Sequence, residues 1–520
     1  MHAFSTIAAE LSSLTNNKGY LKMRRYLTLS LLLAAVAFIS PPTHSSERDT
    51  KTTPKTYQAE QVRADLTQLY ENLQQGSYDL FVHTSQAEYE QAYQTLMQQI
   101  QGPMTQLEAH KLFMQFAALA KIAHTRIDFP VDAYRAFMQG NGKTLPMDFS
   151  VTPSRITISN YYDSDSKSPI KVGDEVIAVD GQPVQDWLAA IQTYIAADNT
   201  EIMASLTEGQ LVPLLWLHEG ERDSYQLRLR SATTGEVYEY TQATLAQDQQ
   251  VAALDGATAT SPSEEKIRDF AIMRGSIGYL KPGPFYNVYA TSHAEIWDTE
   301  EFHAFIDDAF ATFVAHNVKQ ILIDVRNNPG GSNSFSDHML AWFADRPFKF
   351  AADFRIKASE LSRASNQRRL TGDDSNNETS RQLAELFAAH EQGDIVSFPV
   401  EESVPHGADK SVGDTPVYVL IDRYSYSNAV SVAAITQDYG FATVIGEKTA
   451  DLATTYAAME SFTLDHTGVE VGYPKAHIIR PNGDLKADGV TPDVSLDFMA
   501  ATELSSQAKL ERVLDYLQQE

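Results

Sequence analysis

The chain has 520 residues, of which 43% are hydrophobic and 21% charged, enough apolar material for two to four domains and too much for disorder along its length. Forty-one basic residues against 68 acidic leave a net charge of −27, which would repel a phosphate backbone, and no basic cluster offsets it, so nucleic acid is not an expected partner. With no cysteine there is no disulfide, thiolate metal site or thiol nucleophile, and any nucleophile must be an oxygen or an amine.

In chain order, Met23-Arg24-Arg25 precedes an apolar run from Leu27 to Ile39 and then Pro41-Pro42. Thirteen residues are too few to span ~30 Å of hydrocarbon as a helix. The basic start, short apolar core and small residues Ala35 and Ala37 instead match a secretory signal peptide within residues 1–40, with Met23 as the expected true start. Its removal takes away Lys18, Lys22, Arg24, Arg25 and Glu10 and moves the net charge from −27 to −30. The expected working form is an acidic protein exported to the periplasm or secreted, with no stable membrane span.

Ser45 to Thr56 reads as a polar linker. From Tyr57 to about Ala123 apolar positions recur at helical spacing, as in Val62, Leu66, Leu69, Tyr70 and Leu73, and predict a helical domain within residues 57–145. Residues 146–245 change texture. Ile170 to Val184 alternates apolar residues around Asp180-Gly181 and predicts strand, turn, strand, and a second hairpin is expected around Thr233-Thr234-Gly235. Thr244 to Glu265 reads as a linker.

Residues 265–500 alternate strands and helices. Gly278 to Leu280 is a short strand, Thr299 to His316 a helix, and Gln320 to Val325 a strand of the kind buried on both faces. The Gly-rich turn Asn327 to Gly331 and a helix from Phe335 to Phe343 follow, then a polar insertion from Ala358 to Asp409. Pro416 to Ile421 is a second buried strand, the turn Asp422 to Asn428 opens a helix to Tyr439, and Thr443 to Ile445 is a third strand. This grammar predicts an α/β fold with mostly parallel strands. A C-terminal helix is expected within residues 501–520. Ligands in such sheets sit at the carboxyl ends of strands, where both turns lie. A serine lifted out at a strand-to-helix turn, with free N–H groups of the following helix and a second N–H brought close by Gly-Gly, suits acyl transfer. On the pattern alone, Ser425 or Ser427 serves equally as an N-cap and Gly330-Gly331 as a tight turn, and that plainer account is the stronger.

Several segments shift the balance because together they resemble one family. Ile321 to Gly331 (ILIDVRNNPGG), Ile421 to Gly440 (IDRYSYSNAVSVAAITQDYG), Ile445 to Thr449 and Asp488 to Asp493 are similar, in this order, to the motifs of the tail-specific or C-terminal processing serine peptidases. That family includes tricorn-type proteases and the retinoid-binding modules of the interphotoreceptor matrix. Ile170 to Val184 resembles its PDZ module. The resemblance implies a helical N-terminal region, a PDZ-like β-rich module and a crotonase/ClpP-like α/β core. It implies Ser427, rather than Ser425, as nucleophile, and the N–H groups of Asn428 and Gly330 or Gly331 as the oxyanion hole. The family's bacterial branch uses a lysine as base, but Leu452 stands at that position, and Lys448 beside it is a weaker substitute. The tricorn-like branch uses a histidine in a motif that Ala120 to Arg126 resembles, which makes His124 the candidate base. The family's orienting glutamate is replaced by Lys486, leaving Asp484 and Asp488 as candidate orienting acids. The implied activity is a serine endopeptidase acting on unfolded or C-terminally exposed polypeptides, aided by strand addition to the PDZ-like module, although no Gly-Leu-Gly-Phe-like carboxylate loop is evident there. The alternative is a catalytically impaired relative that binds extended peptides or apolar ligands, favoured by Leu452 and Lys486. No cofactor is called for, and the histidines, among them His316, His338 and His390, show no metal-ligand spacing.

Overall fold

The computed structural model describes residues 55–165, 167–256, 266–292, 295–371, 378–501 and 504–519. Residues 1–40, the segment expected to be a signal peptide, lie outside them. Among the described residues no helix is long and apolar enough to cross a membrane. The chain divides into two compact units, one comprising residues up to Ser261 with Ser359–Ser365 and Ala458–Lys475, the other Pro262–Ala358, Asn366–Ala457 and Ala476–Glu520.

In the first unit, helices Ala59–Gly76, Gln86–Gln99 and Gln106–Ala118 realise the predicted periodicity. Ser85 with Glu88, and Thr105 with Glu108, start the latter two as reciprocal capping boxes. Tyr70, Tyr89 and Phe116 pack edge-on and stacked at 5.3–5.9 Å between the helices. A distant stretch completes this unit. The buried carboxylate of Asp65 accepts the backbone N–H groups of His466 and Thr467 at 3.0 and 2.8 Å and the Thr467 hydroxyl at 2.6 Å.

The β-rich module of the same unit is a sheet of strands ordered Met147–Thr152, Arg155–Tyr161, Glu175–Val179, Ser224–Arg230 and Val237–Ala243, all antiparallel. Helices Val184–Gln192 and Thr200–Glu219 accompany it. Asp180 and Gly181 both take positive φ, 50° and 79°, as the tight hairpin between Val179 and Gln182 requires. Residues 244–256 are not a bare linker: Leu245–Ala246 pairs with Lys143–Thr144 and the helix Gln247–Gly256 follows.

The second unit holds a six-stranded sheet ordered Asp269–Met273, Ile277–Lys281, Gln320–Asp324, Val417–Ile421, Thr443–Gly446 and Val494–Ser495. The first pair is antiparallel and every other pair parallel, the α/β arrangement expected from sequence. Its strands alternate between two cores. Ile321, Ile323, Val417, Val419 and Ile421 face Phe302, Phe310, Phe313, Val430 and Ala433 of the helices Glu300–Ala315 and Asn428–Tyr439. Leu322, Leu420 and Ile445 face Leu510, Val513, Leu514 and Leu517 of the helix Ser506–Leu517. Burial on both sides explains the continuous apolar runs. The polar insertion is also structured: Asp353–Lys357 pairs antiparallel with Ile395–Ser397, and two helices, Glu360–Thr371 and Glu378–Ala389, lie between them in sequence. Leu383 and Phe387 give the second helix a buried side that the segment's overall polarity conceals.

Candidate active site

Strands Gln320–Asp324 and Val417–Ile421 are parallel neighbours, Ile323 opposite Val419 and Asp324 opposite Leu420, so the two predicted turns leave the sheet side by side. Polar groups then fasten them together. Asp324 takes Arg326 Nε at 2.8 Å and Nη2 at 2.6 Å and the Tyr279 hydroxyl at 3.0 Å, and these donors hold its carboxyl below its ordinary range although it is buried. Arg326 also donates to the carbonyl of Ser506 at 3.3 Å, at the start of the C-terminal helix. Asp422 is wholly buried and accepts the N–H groups of Asn327 at 3.1 Å and Tyr424 at 3.0 Å; burial outweighs these bonds and pushes it up to about 6.

Ser425 and Ser427 have different surroundings. The Ser425 hydroxyl is buried, donates to the carbonyl of Val325 at 2.8 Å and accepts the N–H of Asp422 at 3.2 Å, so it stitches one turn to the other. Tyr426 adds a bond from its N–H to the carbonyl of Asn328 at 2.9 Å. Ser427 is half-buried at the N-terminus of the helix Asn428–Tyr439, with φ 53° and ψ −121°. Positive φ in a non-glycine residue costs on the order of 1–3 kcal/mol and persists only where the surroundings impose it. Here the Ser427 N–H donates to the buried carboxylate of Asp451 at 2.6 Å.

Gly330 is the other constraint. Its φ is 85°, and a β-carbon there would stand 2.6 Å from the nitrogen of Asn428, 2.6 Å from the carbonyl oxygen of Tyr426 and 2.8 Å from Cβ of Ser427. A side chain at Gly331, φ 142°, would meet the carbonyl oxygen of Phe285 at 2.1 Å. The glycine pair is threaded between two backbones: the Phe285 N–H reaches the Gly330 carbonyl and the Ser332 N–H reaches the Phe285 carbonyl, both at 2.9 Å. The two glycine N–H groups differ. That of Gly330 donates to Asn328 Oδ1 at 2.9 Å, whereas those of Gly331 and of Asn428, which opens its helix, have no acceptor among the described residues. Two free backbone donors and a helix N-terminus beside a serine hydroxyl form a site able to hold developing negative charge on a carbonyl oxygen. The Asn428 side chain is itself fixed, donating to Ser336 Oγ at 2.9 Å.

The remaining predicted residues fall as follows. His124 belongs to the first unit, in the turn after the helix Gln106–Ala118, and is 5% exposed. Burial, with the Arg126 charge, pushes its pKa down to about 4 against the opposing pull of Asp198. Asp198, which sequence reasoning passed over, accepts the N–H of Ala123 at 2.8 Å and faces His83 at 3.6 Å. Leu452, at the position of the family lysine, is buried and forms a bridge with Gly489; Thr449 and Val490 exchange bonds of 3.1 and 2.8 Å beside it. Asp488 is ion-paired with Lys448 and, at 2.7 Å, with Lys486, and these cations hold its carboxyl down to about 2. Asp484 is exposed, its carboxylate accepting the N–H of Lys486 at 3.0 Å. Asp451 was also missed, although it stands one residue before the leucine that drew attention to this stretch.

Residues 277–496 match the model of peptidase family S41, and residues 141–251 match that of a PDZ domain. No curated protein matches the sequence. Among solved structures, CPAF complexed with lactacystin is similar over 89% of this chain and 98% of its own, with a TM-score of 0.60 and 17% identity. Mature CPAF gives 88%, 96%, 0.60 and 16%. At such identity the likeness speaks to the fold.

Proposed function

We propose that this chain, a serine peptidase of family S41 carrying a PDZ domain, hydrolyses peptide bonds in unfolded or C-terminally exposed polypeptides, with Ser427 as nucleophile and His124 as general base. The observation that carries the reading is the Ser427 turn: a strained, half-buried serine pressed against Gly330, with the N–H groups of Asn428 and Gly331 free beside it. The Ser427 oxygen attacks the scissile carbonyl and forms the acyl–oxygen bond, while its proton passes to His124. The oxyanion rests on Asn428 and Gly331, and the Gly330 N–H, engaged by Asn328, holds the loop in shape. His124 returns the proton to the leaving amine, and water repeats the sequence on the acyl-enzyme. An imidazole held neutral by burial is in the proton-accepting form at neutral pH. Asp198 is the carboxylate whose charge acts on His124, whereas Asp488 is occupied by two lysines, so Asp198 is better suited than Asp488 or Asp484 to stabilise the imidazolium by charge.

The PDZ domain suits capture of an extended chain by strand addition, which favours substrates with free, unfolded C-termini. Export rests on the pattern from Met23 to Pro42. The test is mass spectrometry of products after incubating the mature protein, and its Ser427→Ala variant, with an unfolded protein bearing a free C-terminus. Fragments from the parent alone are expected, with ends that track the C-terminus. Retention of that substrate by both proteins without fragments would refute the reading in favour of a binding protein. N-terminal sequencing of the exported protein checks localisation, and a start upstream of Met23 in the precursor would contradict the assigned signal.

A further inference from the structure

Outside the serine site, the second unit gathers three side chains that no linear spacing connects. Asp307 lies on the helix Glu300–Ala315, His338 in the last turn of the helix Asn333–Leu340, and His406 on the segment that follows the bridge between Phe348 and Ser403. One donor atom from each lies within 4.8 Å of the others, and all three residues are partly exposed, so an ion has a way in. We propose that Asp307, His338 and His406 bind a divalent transition-metal ion, of which Zn²⁺ is the best match.

The donor set suits that ion. One carboxylate with two imidazoles and no thiolate is the nitrogen and oxygen environment of zinc sites that retain an open position for water. Groups behind the ligands are already arranged. His406 Nε2 lies 2.9 Å from the carbonyl of His338, a contact that orients the ring and, with Nε2 protonated, would leave Nδ1 free to bind the ion. The carboxylate of Asp307 is oriented by Trp342 Nε1 at 2.9 Å and Lys410 Nζ at 2.7 Å, and the His338 ring is stacked on His303 at 4.0 Å. His338 Nε2 and Asp307 Oδ1 are 2.7 Å apart. Two ligands at ~2.0–2.1 Å on a tetrahedral ion stand about 3.3 Å apart, so binding replaces the shared proton and opens this pair by roughly half an ångström. The ion would tie the segment carrying His406 and Lys410 to two helices. One of these also carries Ser336, which holds the side chain of Asn428. Occupancy would therefore stiffen the support of the oxyanion donor without touching the substrate.

The test uses the full mature chain, free of any affinity tag, titrated with ZnCl₂ alone by calorimetry and with CoCl₂ by visible absorption. One equivalent is expected, with the intense absorption of a low-coordinate cobalt site and a raised melting temperature. His406→Ala, on a partly exposed segment, should keep the circular dichroism of the parent yet weaken binding at least about tenfold, as should Asp307→Asn. Failure of the folded parent to bind below ~100 µM would overturn the proposal, as would unchanged affinity in both variants. Because the readouts are heat and absorbance, the outcome is independent of whether Ser427 is catalytic.

Discussion

Gly330 has no room for a β-carbon. In Gly330→Ala the methyl group would begin 2.6 Å from the Asn428 nitrogen and the Tyr426 oxygen and 2.8 Å from Ser427 Cβ, against ordinary contacts that start at 3.4 Å. All three atoms belong to the turn carrying Ser427, so relief requires moving that turn and the glycine loop apart by ~0.6–0.8 Å, while the left-handed backbone adds about 1–2 kcal/mol of strain. A displacement approaching 1 Å in a reacting group costs roughly 10²-fold, and loss of an oxyanion donor roughly 10²–10³-fold. The expected result is a kcat lower by about 10²–10³-fold with peptide binding unchanged. Gly440→Ala separates strain from clash. Gly440 ends the same helix at φ 72°, and a methyl group there would meet nothing within 4 Å, so this variant should lose about 1 kcal/mol of stability and retain kcat. Steady-state cleavage of a quenched fluorescent peptide, with thermal melts of each variant, gives both quantities. A folded Gly330→Ala protein with kcat within about threefold of the parent, or an equal loss in Gly440→Ala, would refute the placement of the oxyanion site.

Ser427→Ala should abolish turnover with the melting temperature maintained, whereas Ser425→Ala, which strands a buried carbonyl and N–H, should cost about 1–3 kcal/mol of stability and leave residual turnover. Equal loss of kcat in both well-folded variants would reverse the assignment. His124→Gln should lower kcat while leaving peptide affinity intact. Because its folded pKa is depressed to about 4, the unfolded chain binds the extra proton first; stability contributed by the neutral ring is therefore full above ~6.5 and lost as pH falls toward 4, by about 3 kcal/mol, in chemical denaturation of the parent but not of His124→Gln. Asp451→Ala, which removes the acceptor of the Ser427 N–H, should reduce kcat by about tenfold or more with KM little changed, and Asp451→Asn, which keeps an acceptor oxygen, should lose less; identical kinetics to the parent would show that this bond does not set the turn.

Strand alternation made the parallel sheet legible, because Ile321 and Ile323 differ from Leu322 only in which core they enter, and an unbroken apolar run is what two cores demand. The glycine turn and the Ser427 turn were legible for a related reason: both follow such strands directly. What escaped was non-local. Asp451 reaches Ser427 across 24 positions, Asp198 reaches Ala123 across 75, and His338 meets Asp307 and His406 across 31 and 68, separations with no periodic signature. The elements within residues 244–256 and 358–409 escaped because short strands and polar helices owe their formation to partners elsewhere rather than to local pattern. Ser425 and Ser427 were separable only by family alignment, since two serines two positions apart differ in backbone φ and hydrogen bonding and not in any property of composition.

The helix Ser506–Leu517 is the last described element of the chain, yet it covers Leu322, Leu420 and Ile445 in the middle of the sheet, and its first carbonyl receives Arg326 from the glycine turn. A nascent chain that has not yet released these residues thus carries a sheet with one bare apolar face and an arginine lacking that acceptor. A chain shortened near residue 500 would in the same way expose Leu322, Leu420 and Ile445 and lose the acceptor of Arg326, so the shape of the glycine turn depends on a helix far from it in sequence.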